Sequence, residues 1–355
     1  MLTVAYVANY ITENGPGKVI LNLIENLDRT CFNPILITLF KESDSRIVEK
    51  LRKDGVSVIE CKTLTRAKCL YGRSNEFFEV VEKSKVDILH THGLIPDVLS
   101  SRLNLPLKKI STVHCNIFED YRETYGFLKS RILIPMHICA LKKMSVAVCC
   151  SQSVYDVLGK YLKNAVAVRN GIDVPVPRTK VTRTDLELPE SSSVFIYAGG
   201  LTEGKNIVWL IKQFVNCHNE NEYLLVLGSG PKEEQCYAVV DDHVRMVGFQ
   251  TDPIAYMKIS DFYISASKSE GFSISVLEAL SCGLGLFLSD IPSHREIVRM
   301  GSEANIGVTF SQDDFKVKVE MLRKEIPRKK SIVEFLNRHL SASKMTGQYE
   351  QIYML

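Results

Sequence analysis

The sequence predicts an α/β protein with two domains, each built on a doubly wound parallel sheet. In both halves of the chain, short apolar strands alternate with amphipathic helices, which is typical of parallel sheets covered by helices on both faces. The chain has 355 residues, 45% of them apolar, which is enough for two separate cores. Residues 173–192 are rich in Pro, Thr and charge and lack any period, so they are predicted to form an interdomain linker.

The first half, residues 1–172, opens with a buried strand at Leu2–Ala8, a turn at Gly15-Pro16-Gly17 and an amphipathic helix at Val19–Leu27. This succession is the opening of a Rossmann-like unit. Gly17 and Lys18 are candidate ligand-binding residues, although a plain tight turn fits the glycine pair equally well. The other predicted strands of this half are Pro34–Phe40, Val56–Glu60, Val86–His90, Lys109–Val113 and Val146–Cys150, and its other helices are Arg46–Lys53, Glu76–Lys83 and Ser153–Tyr161.

Three histidines stand at the ends of predicted strands. His90 ends one predicted strand, His92 follows it by two residues, and His114 follows the next strand. Ligands of doubly wound sheets bind just beyond the carboxyl ends of strands, so these side chains are candidates for a site. A third ligand at metal spacing and a D-x-D motif for Mg²⁺ or Mn²⁺ are both missing from the sequence, so we predict no metal site. Taken alone, His114 could equally be a satisfied histidine at a strand end.

Residues 121–144 mix basic and large apolar side chains. The stretch is interrupted by Lys129, Arg131 and Pro135, whereas a bilayer crossing needs about 20 apolar residues. Two interpretations fit it equally: a helix that lies on a membrane surface, and a helix packed into the first domain.

The second domain, residues 193–340, repeats the alternation. Its predicted strands are Val194–Ala198, Tyr223–Leu227, Val244–Phe249 and Asp261–Ser265, and its helices include Asp252–Lys258 and one that starts at Ser273. The tail, residues 341–355, is predicted to form a separate helix.

Two carboxylates in this domain, Glu270 and Glu278, stand eight positions apart around the start of the helix at Ser273. The backbone N–H groups and positive dipole end of such a helix can bind a phosphate, and the two acids could then accept hydrogen bonds from hydroxyls on either side of it. A sugar nucleotide has hydroxyls on both sides of its phosphates. The spacing by itself favours two solvated acids on a capped helix, and only the flanking residues change that balance.

These flanking residues carry a resemblance to the retaining GT-B glycosyltransferases of the group 1 family. The residues that match its C-terminal signature are Ser267, Glu270-Gly271-Phe272, Glu278-Ala279, Cys282-Gly283, Ser289-Asp290 and Glu296. Further blocks match at His114 in STVHCN, at Asn170-Gly171-Ile172-Asp173, at GGLTEGKN with Lys205, at Gly228-Ser229-Gly230-Pro231 and at Val244–Phe249. The resemblance therefore covers most of the chain.

The resemblance implies two Rossmann-like domains facing a cleft, with the last helix crossing back to the first domain. It assigns catalytic roles to Glu270, Lys205 and His114 and the ribose contact to Glu278. The other donor-binding positions it implies are Gly271, Phe272, Ser273, Ile274, Gly200, Gly228, Val247, Gly17, Lys18 and Asn170. Gly200 departs from the pattern, because the family has at this position an Arg that helps Lys205 hold the diphosphate.

The function implied by the resemblance is a retaining, metal-independent and cofactor-free transfer of a sugar. The donor is a nucleotide diphosphate sugar, of which a UDP-sugar is the family's commonest type, and the acceptor is a lipid-linked oligosaccharide or surface polysaccharide precursor. Two other functions stay open: a sugar-nucleotide-binding subunit without turnover, which Gly200 favours, and a GT-B sugar-nucleotide epimerase.

The distribution of charged residues indicates which kinds of partner the protein binds. The halves differ in charge: residues 1–172 carry 24 Lys and Arg against 17 Asp and Glu, whereas residues 173–355 carry 20 against 24. A basic first domain suits an anionic membrane or a phosphate-bearing acceptor, and the sequence lacks the aromatic and basic interleaving of a nucleic-acid reader. Ten Cys without a C-x-x-C framework, and no signal peptide, predict a reducing, cytoplasmic location, peripheral at the inner face of the cytoplasmic membrane.

Overall fold

The computed structural model describes residues 1–41, 43–71, 74–324 and 329–355. The chain divides into two compact units: Met1–Gly171 with Ala342–Leu355 form the first, and Ile172–Ser341 form the second. Each unit contains one sheet in which neighbouring strands pair in parallel. Both sheets are therefore of the doubly wound type that the alternation of strands and helices predicted.

The first unit has a seven-stranded sheet of order β3-β2-β1-β4-β5-β6-β7. Its strands are β1 (Leu2–Ala8), β2 (Phe32–Thr38), β3 (Ser57–Glu60), β4 (Ile88–His92), β5 (Lys108–Val113), β6 (Val146–Cys149) and β7 (Ala165–Ala167). Its first seven helices are α1 (Gly15–Asn26), α2 (Ser45–Lys53), α3 (Arg66–Tyr71), α4 (Asn75–Lys83), α5 (Leu94–Arg102), α6 (Ile117–Leu141) and α7 (Gln152–Leu158). The central strands are buried on both faces, which explains their unbroken apolar sequences.

The second unit has a six-stranded sheet of order β10-β9-β8-β11-β12-β13. Its strands are β8 (Ser193–Ala198), β9 (Glu222–Leu227), β10 (Val244–Gly248), β11 (Phe262–Ser265), β12 (Gly285–Ser289) and β13 (Gly307–Phe310). Its helices are α8 (Ile207–Val215), α9 (Glu233–Tyr237), α10 (Pro253–Lys258), α11 (Ile274–Ser281), α12 (Pro292–Met300), α13 (Phe315–Lys324) and α14 (Lys329–His339). Phe287, Phe310 and Phe315 pack together in its core, with ring centroids 4.4–5.0 Å apart.

The turn predicted at Gly15-Pro16-Gly17 is wrong, because these residues form the first turn of α1. Asn14 caps the helix by accepting a hydrogen bond from the Gly17 N–H at 2.9 Å. Pro16 fits this turn, since its missing N–H would have no partner inside the helix. Gly17 is buried, and a Cβ there would lie 1.9 Å from the Thr12 carbonyl oxygen. This close approach to Thr12 requires a glycine at position 17.

The C-terminal helix α15 (Ala342–Met354) belongs to the first unit and packs on α1. Its Tyr353 hydroxyl lies 2.7 Å from His90 Nδ1, and its Tyr349 hydroxyl lies 2.8 Å from Thr112 Oγ1. The Thr112 hydroxyl is in turn 2.7 Å from His90 Nε2. Both ring nitrogens of His90 are therefore satisfied inside the protein, and burial lowers its pKa to about 3. His90 is a structural histidine that holds the helix on the sheet.

Residues 173–192, predicted to form a linker, lie within the second unit and include a 3₁₀ turn at Thr184–Leu186. The Asp252 carboxylate accepts hydrogen bonds from the backbone N–H groups of Arg178 and Thr179 at 2.6 and 2.7 Å. Arg183 pairs with Asp261 at 2.9 Å. The Pro- and Thr-rich composition thus reflects irregular backbone that is tied to a folded domain.

Residues 121–144 lie mostly in α6, which is broken at Gly126, where φ is 76°. Several large apolar side chains around this break are exposed, namely Tyr125, Phe127, Leu128 and Ile132. Further along the helix, Ile134, Ile138 and Leu141 are buried in the unit. Among the residues that the structure describes, no helix is both long and apolar enough to cross a membrane.

Candidate functional site

In the second unit, most of the predicted site residues lie at the carboxyl ends of β8 and β11, and Val247 is the exception. The strand order places β8 beside β11, so the chain leaves these two strands in opposite directions and opens a crevice at their carboxyl ends, where doubly wound sheets bind ligands. The loop after β8 is joined to the loop after β9 by the Leu201 N–H and Ser229 carbonyl at 2.9 Å. It is joined to the loop after β11 by the Lys268 N–H and Gly204 carbonyl at 2.8 Å.

Lys205 and Glu270 form an ion pair in this crevice. Lys205 Nζ lies 2.5 Å from Glu270 Oε1, and the Ser267 hydroxyl donates to the same oxygen at 2.8 Å. Burial alone would raise the pKa of Glu270, but the charge of Lys205, the nearby His294 and these hydrogen bonds together hold it below its ordinary value. Glu270 is therefore a carboxylate at neutral pH, able only to accept hydrogen bonds.

His294 of α12 is a site residue that the sequence did not indicate. The side chain is fully buried, and its Nδ1 lies 3.0 Å from the Ser289 carbonyl oxygen. Burial lowers its pKa to about 4, so the imidazole next to Glu270 is neutral at neutral pH. The one available signal was position, since His294 follows the Ser289-Asp290 block by four residues.

The segment from Gly271 to Ile274 leads into α11. Ser273 is the N-cap residue, and within the described chain its side chain makes no capping hydrogen bond, so the first amides of α11 keep their capacity to bind an anion. Gly271, Phe272 and Ile274 are buried and fix this turn. Glu278 lies one turn further along α11 and is 6% exposed. The structure thus places both acids around one helix start.

Gly200 and Gly228 lie in the adjacent loops but differ in backbone geometry. Gly228 has a φ of 140°, and a Cβ there would lie 1.9 Å from the Gly199 carbonyl oxygen, so only glycine fits. Gly200 is outside the left-handed region, and a Cβ there would meet only Thr202 Cγ2, at 3.5 Å. The missing family Arg is therefore not excluded by the backbone at position 200.

Two other lysines lie close to the loop that carries Gly200. Lys232 Nζ is 3.1 Å and Lys268 Nζ is 2.5 Å from the carboxylate of Glu203. The Lys232 N–H also donates to the Leu201 carbonyl at 2.9 Å, which holds this residue against the loop. Lys232 and Lys268 are therefore bonded to the loop that carries Gly200 and Lys205.

Val247 lies on β10, which β9 separates from β8. There it lines a separate concavity of about 370 Å³, together with Glu187 and Arg245. The strand is irregular at Val247, because its pairing with β9 shifts between Met246 and Gly248.

In the first unit, a cavity of about 460 Å³ lies at the carboxyl ends of the paired strands β1 and β4, from which the chain leaves in opposite directions. Of the predicted site residues, His114 and Gly17 line it, whereas Lys18 and Asn170 are not among its lining residues. Asn170 is buried at the end of the unit, where its N–H donates to the Cys150 carbonyl at 3.2 Å. The structure therefore separates Asn170 from the cavity.

His114 is paired with His92, a residue at the end of β4. His92 Nδ1 lies 2.9 Å from His114 Nε2, and the two rings stack at a centroid distance of 5.2 Å. Burial lowers the pKa of His114 to about 4 and lowers that of His92 well below its ordinary value. Both imidazoles are neutral at neutral pH, so one ring donates the single shared proton and the other accepts it.

Doubly wound sheets with a lysine, a carboxylate and a helix N-terminus at the switch point are typical of proteins that bind phosphorylated ligands. Two family models match the chain: Glycosyltransferase Family 4 over residues 13–175 and Glycosyl transferases group 1 over residues 179–334. Between them they span nearly all of both units. The chain belongs to the group 1 glycosyltransferases, and it is an enzyme of that class.

Individual relatives are distant but some are similar over the full length. The O-antigen biosynthesis glycosyltransferase WclY of Escherichia coli is 22% identical over 372 residues, which covers 99% of this chain and 98% of that protein. The Campylobacter jejuni N-acetylgalactosamine-N,N'-diacetylbacillosaminyl-diphospho-undecaprenol 4-alpha-N-acetylgalactosaminyltransferase is 29% identical over 129 residues, or 35% of this chain and 32% of that protein. Anabaena Alr3699/HepE, solved in complex with UDP and glucose, superposes with a TM-score of 0.80 at 13% identity over 100% of each chain. The GT-B fold predicted from the sequence is confirmed.

Proposed function

We propose that this enzyme transfers a sugar from a UDP-sugar to a lipid-linked oligosaccharide or surface polysaccharide precursor, with retention of the anomeric configuration. The observation that carries the proposal is the Lys205–Glu270 pair beside the start of α11. A cation, a carboxylate and free helix amides match the diphosphate and hydroxyls of a sugar nucleotide. The names of the relatives support the donor and acceptor classes: one is solved with UDP and glucose, one acts on a diphospho-undecaprenol and one serves O-antigen biosynthesis.

In the proposed reaction, the bond between the anomeric carbon and the UDP oxygen breaks, and the acceptor hydroxyl oxygen bonds to that carbon from the same face. The departing phosphate takes the hydroxyl proton. Negative charge grows on the phosphate oxygens, so Lys205 and the amides of α11 stabilise the transition state more than the ground state. Glu270 accepts hydrogen bonds from donor sugar hydroxyls and Glu278 from the ribose. His114 has a catalytic role in this proposal, which rests on the family resemblance.

The charge that the absent Arg would supply at position 200 comes, in this proposal, from Lys232. Its backbone is hydrogen-bonded to Leu201, so its ammonium group stays near the loop that carries Gly200. Its present partner, Glu203, is largely exposed, and an exposed ion pair of this kind is weak. Lys232 can therefore exchange Glu203 for a phosphate at little cost.

We further propose that the first unit contacts the cytoplasmic membrane through α6. Phe127, Leu128 and Ile132 are each more than 60% exposed, and they share this short stretch with exposed Lys129 and Arg131. Apolar side chains flanked by basic ones bind interfaces of anionic lipid, and the excess positive charge of residues 1–172 acts in the same direction. A lipid-linked acceptor would be met at such a surface.

The membrane contact is tested by sedimentation with vesicles of phosphatidylglycerol and phosphatidylcholine. Wild type should co-sediment with vesicles rich in phosphatidylglycerol, and Phe127→Ser with Leu128→Ser should not. As a matched control, Val317→Ser with Met321→Ser removes two exposed apolar side chains from α13 and should bind like wild type. Equal sedimentation of both double variants would exclude α6 as the contact.

The donor is tested by calorimetric titration of the purified protein with UDP- and GDP-sugars. A UDP-sugar should bind, and mass analysis of a lipid-linked acceptor incubated with it should show the added sugar. The anomeric configuration of that product is read by NMR. Because Lys205 and helix amides supply the positive charge, EDTA should leave turnover unchanged; loss of activity that Mn²⁺ or Mg²⁺ restores would contradict this.

A second candidate function, a sugar-nucleotide-binding subunit without turnover, is favoured by one observation, the glycine at position 200. That protein would bind a UDP-sugar in the titration and give no product with any acceptor. The two functions therefore differ in the mass analysis alone.

A further inference from the structure

The cavity of the first unit contains polar atoms that the protein leaves unused. His92 Nε2 and Asn9 Oδ1 both belong to residues that line the cavity, and both are buried without a hydrogen-bond partner in the part of the chain that the structure describes. The His92 side chain is 5% exposed. Buried polar atoms nearly always have a hydrogen-bond partner. Two such atoms without one in the same cavity therefore indicate that a polar ligand binds there.

A buried chain of three side chains ends in the wall of the same cavity. The Asp97 carboxylate of α5 lies 2.7 Å from His137 Nε2, and His137 Nδ1 lies 2.7 Å from the Tyr121 hydroxyl. Asp97 also accepts a hydrogen bond from the Thr91 hydroxyl. His137 and Tyr121 both belong to α6 and both line the cavity. Their rings stack with only 7° between the planes, which fixes the orientation of the tyrosine.

The proton positions along this chain follow from its carboxylate end. The carboxylate of Asp97 can only accept, so His137 Nε2 carries a proton and donates it. With that proton on Nε2, Nδ1 accepts a hydrogen bond from the Tyr121 hydroxyl. Burial raises the pKa of the Tyr121 phenol above its ordinary value, so that proton is retained at neutral pH. The single proton of Tyr121 is thereby committed to His137, and its oxygen can only accept a further hydrogen bond.

We propose that Tyr121, oriented by His137 and Asp97, accepts a hydrogen bond from one hydroxyl of an acceptor sugar ring bound in this cavity, and so selects among acceptor sugars. This inference rests on the proposed function, since it assigns the cavity to the acceptor. Tyr121 contacts the substrate in this arrangement, and His137 and Asp97 are positioning residues. His92 Nε2 and Asn9 Oδ1 supply two more polar contacts for a ligand with several hydroxyls.

An uncharged, hydroxyl-rich ring matches the cavity better than a phosphate does. The Tyr121 oxygen and Asn9 Oδ1 are acceptors, and Asp120 adds a carboxyl group to the lining. These acceptors take hydrogen bonds from hydroxyl groups and repel a phosphate, and they outnumber the guanidinium of Arg66, which also lines the cavity. Tyr10 and Tyr125 also line the cavity, and aromatic rings provide flat apolar surface for the C–H face of a sugar.

The test uses octyl β-glycosides of glucose, galactose and N-acetylglucosamine, each with its singly deoxygenated analogues, titrated against the full-length protein by ligand-observed NMR. For the glycoside that binds, removal of one particular hydroxyl should weaken binding to wild type about threefold to tenfold, as expected for one neutral hydrogen bond. In Tyr121→Phe the parent glycoside should bind as weakly as that deoxy analogue, and the analogue should lose no further affinity. His137→Gln, which can still donate to Asp97 and accept from Tyr121, should keep part of the discrimination.

Tyr161→Phe is the matched control, because Tyr161 is half exposed and does not line the cavity. It should leave every glycoside affinity unchanged. Deoxy penalties that are equal in wild type and Tyr121→Phe would overturn the proposal, and so would the failure of all three glycosides to bind. If Asp97, His137 and Tyr121 serve packing alone, His137→Gln should lower the melting temperature without changing the discrimination between glycosides, and this result would also overturn the proposal. UDP titrated against the same samples separates the two proposals: intact UDP binding with unchanged discrimination contradicts only the role of Tyr121, whereas absent UDP binding contradicts the proposed function.

Discussion

The two units use the same sheet topology to hold two chemically different sites. In both, the chain leaves two paired central strands in opposite directions, and candidate functional side chains lie at the carboxyl ends of these strands. The candidate site of the second unit contains an ion pair, formed by Lys205 and Glu270. The cavity of the first unit contains a pair of neutral side chains instead, formed by His92 and His114.

The difference shows that the charge of a buried side chain depends on the groups to which it is hydrogen-bonded. Glu270 stays ionised because a lysine and a hydroxyl stabilise its charge. His114 stays neutral because burial lowers its pKa, and its partner, another histidine, offers no compensating charge. A charged site suits a diphosphate whose charge grows during reaction, and a neutral site suits an uncharged sugar ring. Substitutions in the charged site and acidification of the neutral one test this contrast.

The charged site should depend most strongly on Lys205. Lys205→Ala removes the cation nearest to Glu270 and should cost about 2.7–4 kcal/mol of transition-state stabilisation, or about a hundredfold to a thousandfold in turnover. The control is Lys212→Ala, an exposed lysine on α8. Steady-state turnover with UDP-sugar and acceptor measures both. Wild-type turnover in Lys205→Ala would remove the mechanism proposed here.

The two carboxylates should separate binding from catalysis. Glu278→Ala removes a hydrogen bond to the ribose, which is present in ground and transition states alike, so UDP affinity should fall by about 1.5–3 kcal/mol. Glu270→Ala should mainly lower turnover, because the donor sugar contact strengthens during reaction. Calorimetry gives the affinities and initial rates give the turnover, with Glu234→Ala on α9 as the control. Unchanged UDP affinity in folded Glu278→Ala would exclude the ribose contact.

Much of the fold could be predicted from the sequence because buried parallel strands are continuous apolar runs. The strand Leu2–Ala8 has the predicted bounds, and α11 starts at Ile274, one residue after the predicted start at Ser273. The start of α1 was missed because Gly-Pro-Gly is typical of a turn, and only the contact of Asn14 with Gly17 shows that it is helical. Local pattern could not reveal that contact.

The candidate site was harder to predict, because its contacts join distant parts of the chain. The resemblance indicated Lys205 and Glu270 separately, and only the fold places their charged atoms in contact across 65 residues. Asp97, His137 and Tyr121 carried no signal. Residues 94–100 of α5 are all buried, so no polar face marked Asp97, and His137 lies 40 residues away in sequence. The catalytic roles of Lys205 and Glu270 and the acceptor contact of Tyr121 are predictions that the experiments described here test.

Acid should distinguish the neutral site from the charged one. Burial lowers the pKa of three histidines of the first unit and one of the second, namely His90, His92, His114 and His294. The lowered pKa is about 3 for His90 and about 4 for His114 and His294. Between pH 6.5 and 4 the unfolded chain binds these protons and the folded chain does not, so stability falls as the pH falls. Each such histidine costs up to about 1.4 kcal/mol per pH unit in this window.

The first unit has three of these histidines, so it should lose stability first on acidification. Hydrogen exchange of the full-length protein between pH 7 and 4.5, corrected for the intrinsic exchange rate, measures protection in both units at once. Protection should fall in β4 and β5 at a higher pH than in β11 and β12. Simultaneous loss in the two sheets would mean that the buried histidines do not set the acid stability.

The smallest expected effect is a gain, at Gly200. Because the backbone there is outside the left-handed region and a Cβ meets only Thr202 at 3.5 Å, Gly200→Arg should fold normally and add a guanidinium to the diphosphate site. One added hydrogen-bonded contact should tighten UDP binding by about threefold to tenfold. Gly228→Ala is the contrasting variant, since its φ of 140° and the 1.9 Å approach to Gly199 predict a loss of stability instead.

The same variant tests whether Lys232 replaces the missing Arg. Lys232→Ala should weaken UDP binding, and Gly200→Arg in that background should restore it, because both groups would neutralise the same phosphates. If Lys232→Ala binds UDP like wild type, the replacement lies elsewhere and Lys205 carries the charge with the α11 amides alone. Turnover decides the larger question: a wild type that binds a UDP-sugar without product, beside a Gly200→Arg variant that forms product, would identify the natural protein as the non-catalytic binding subunit.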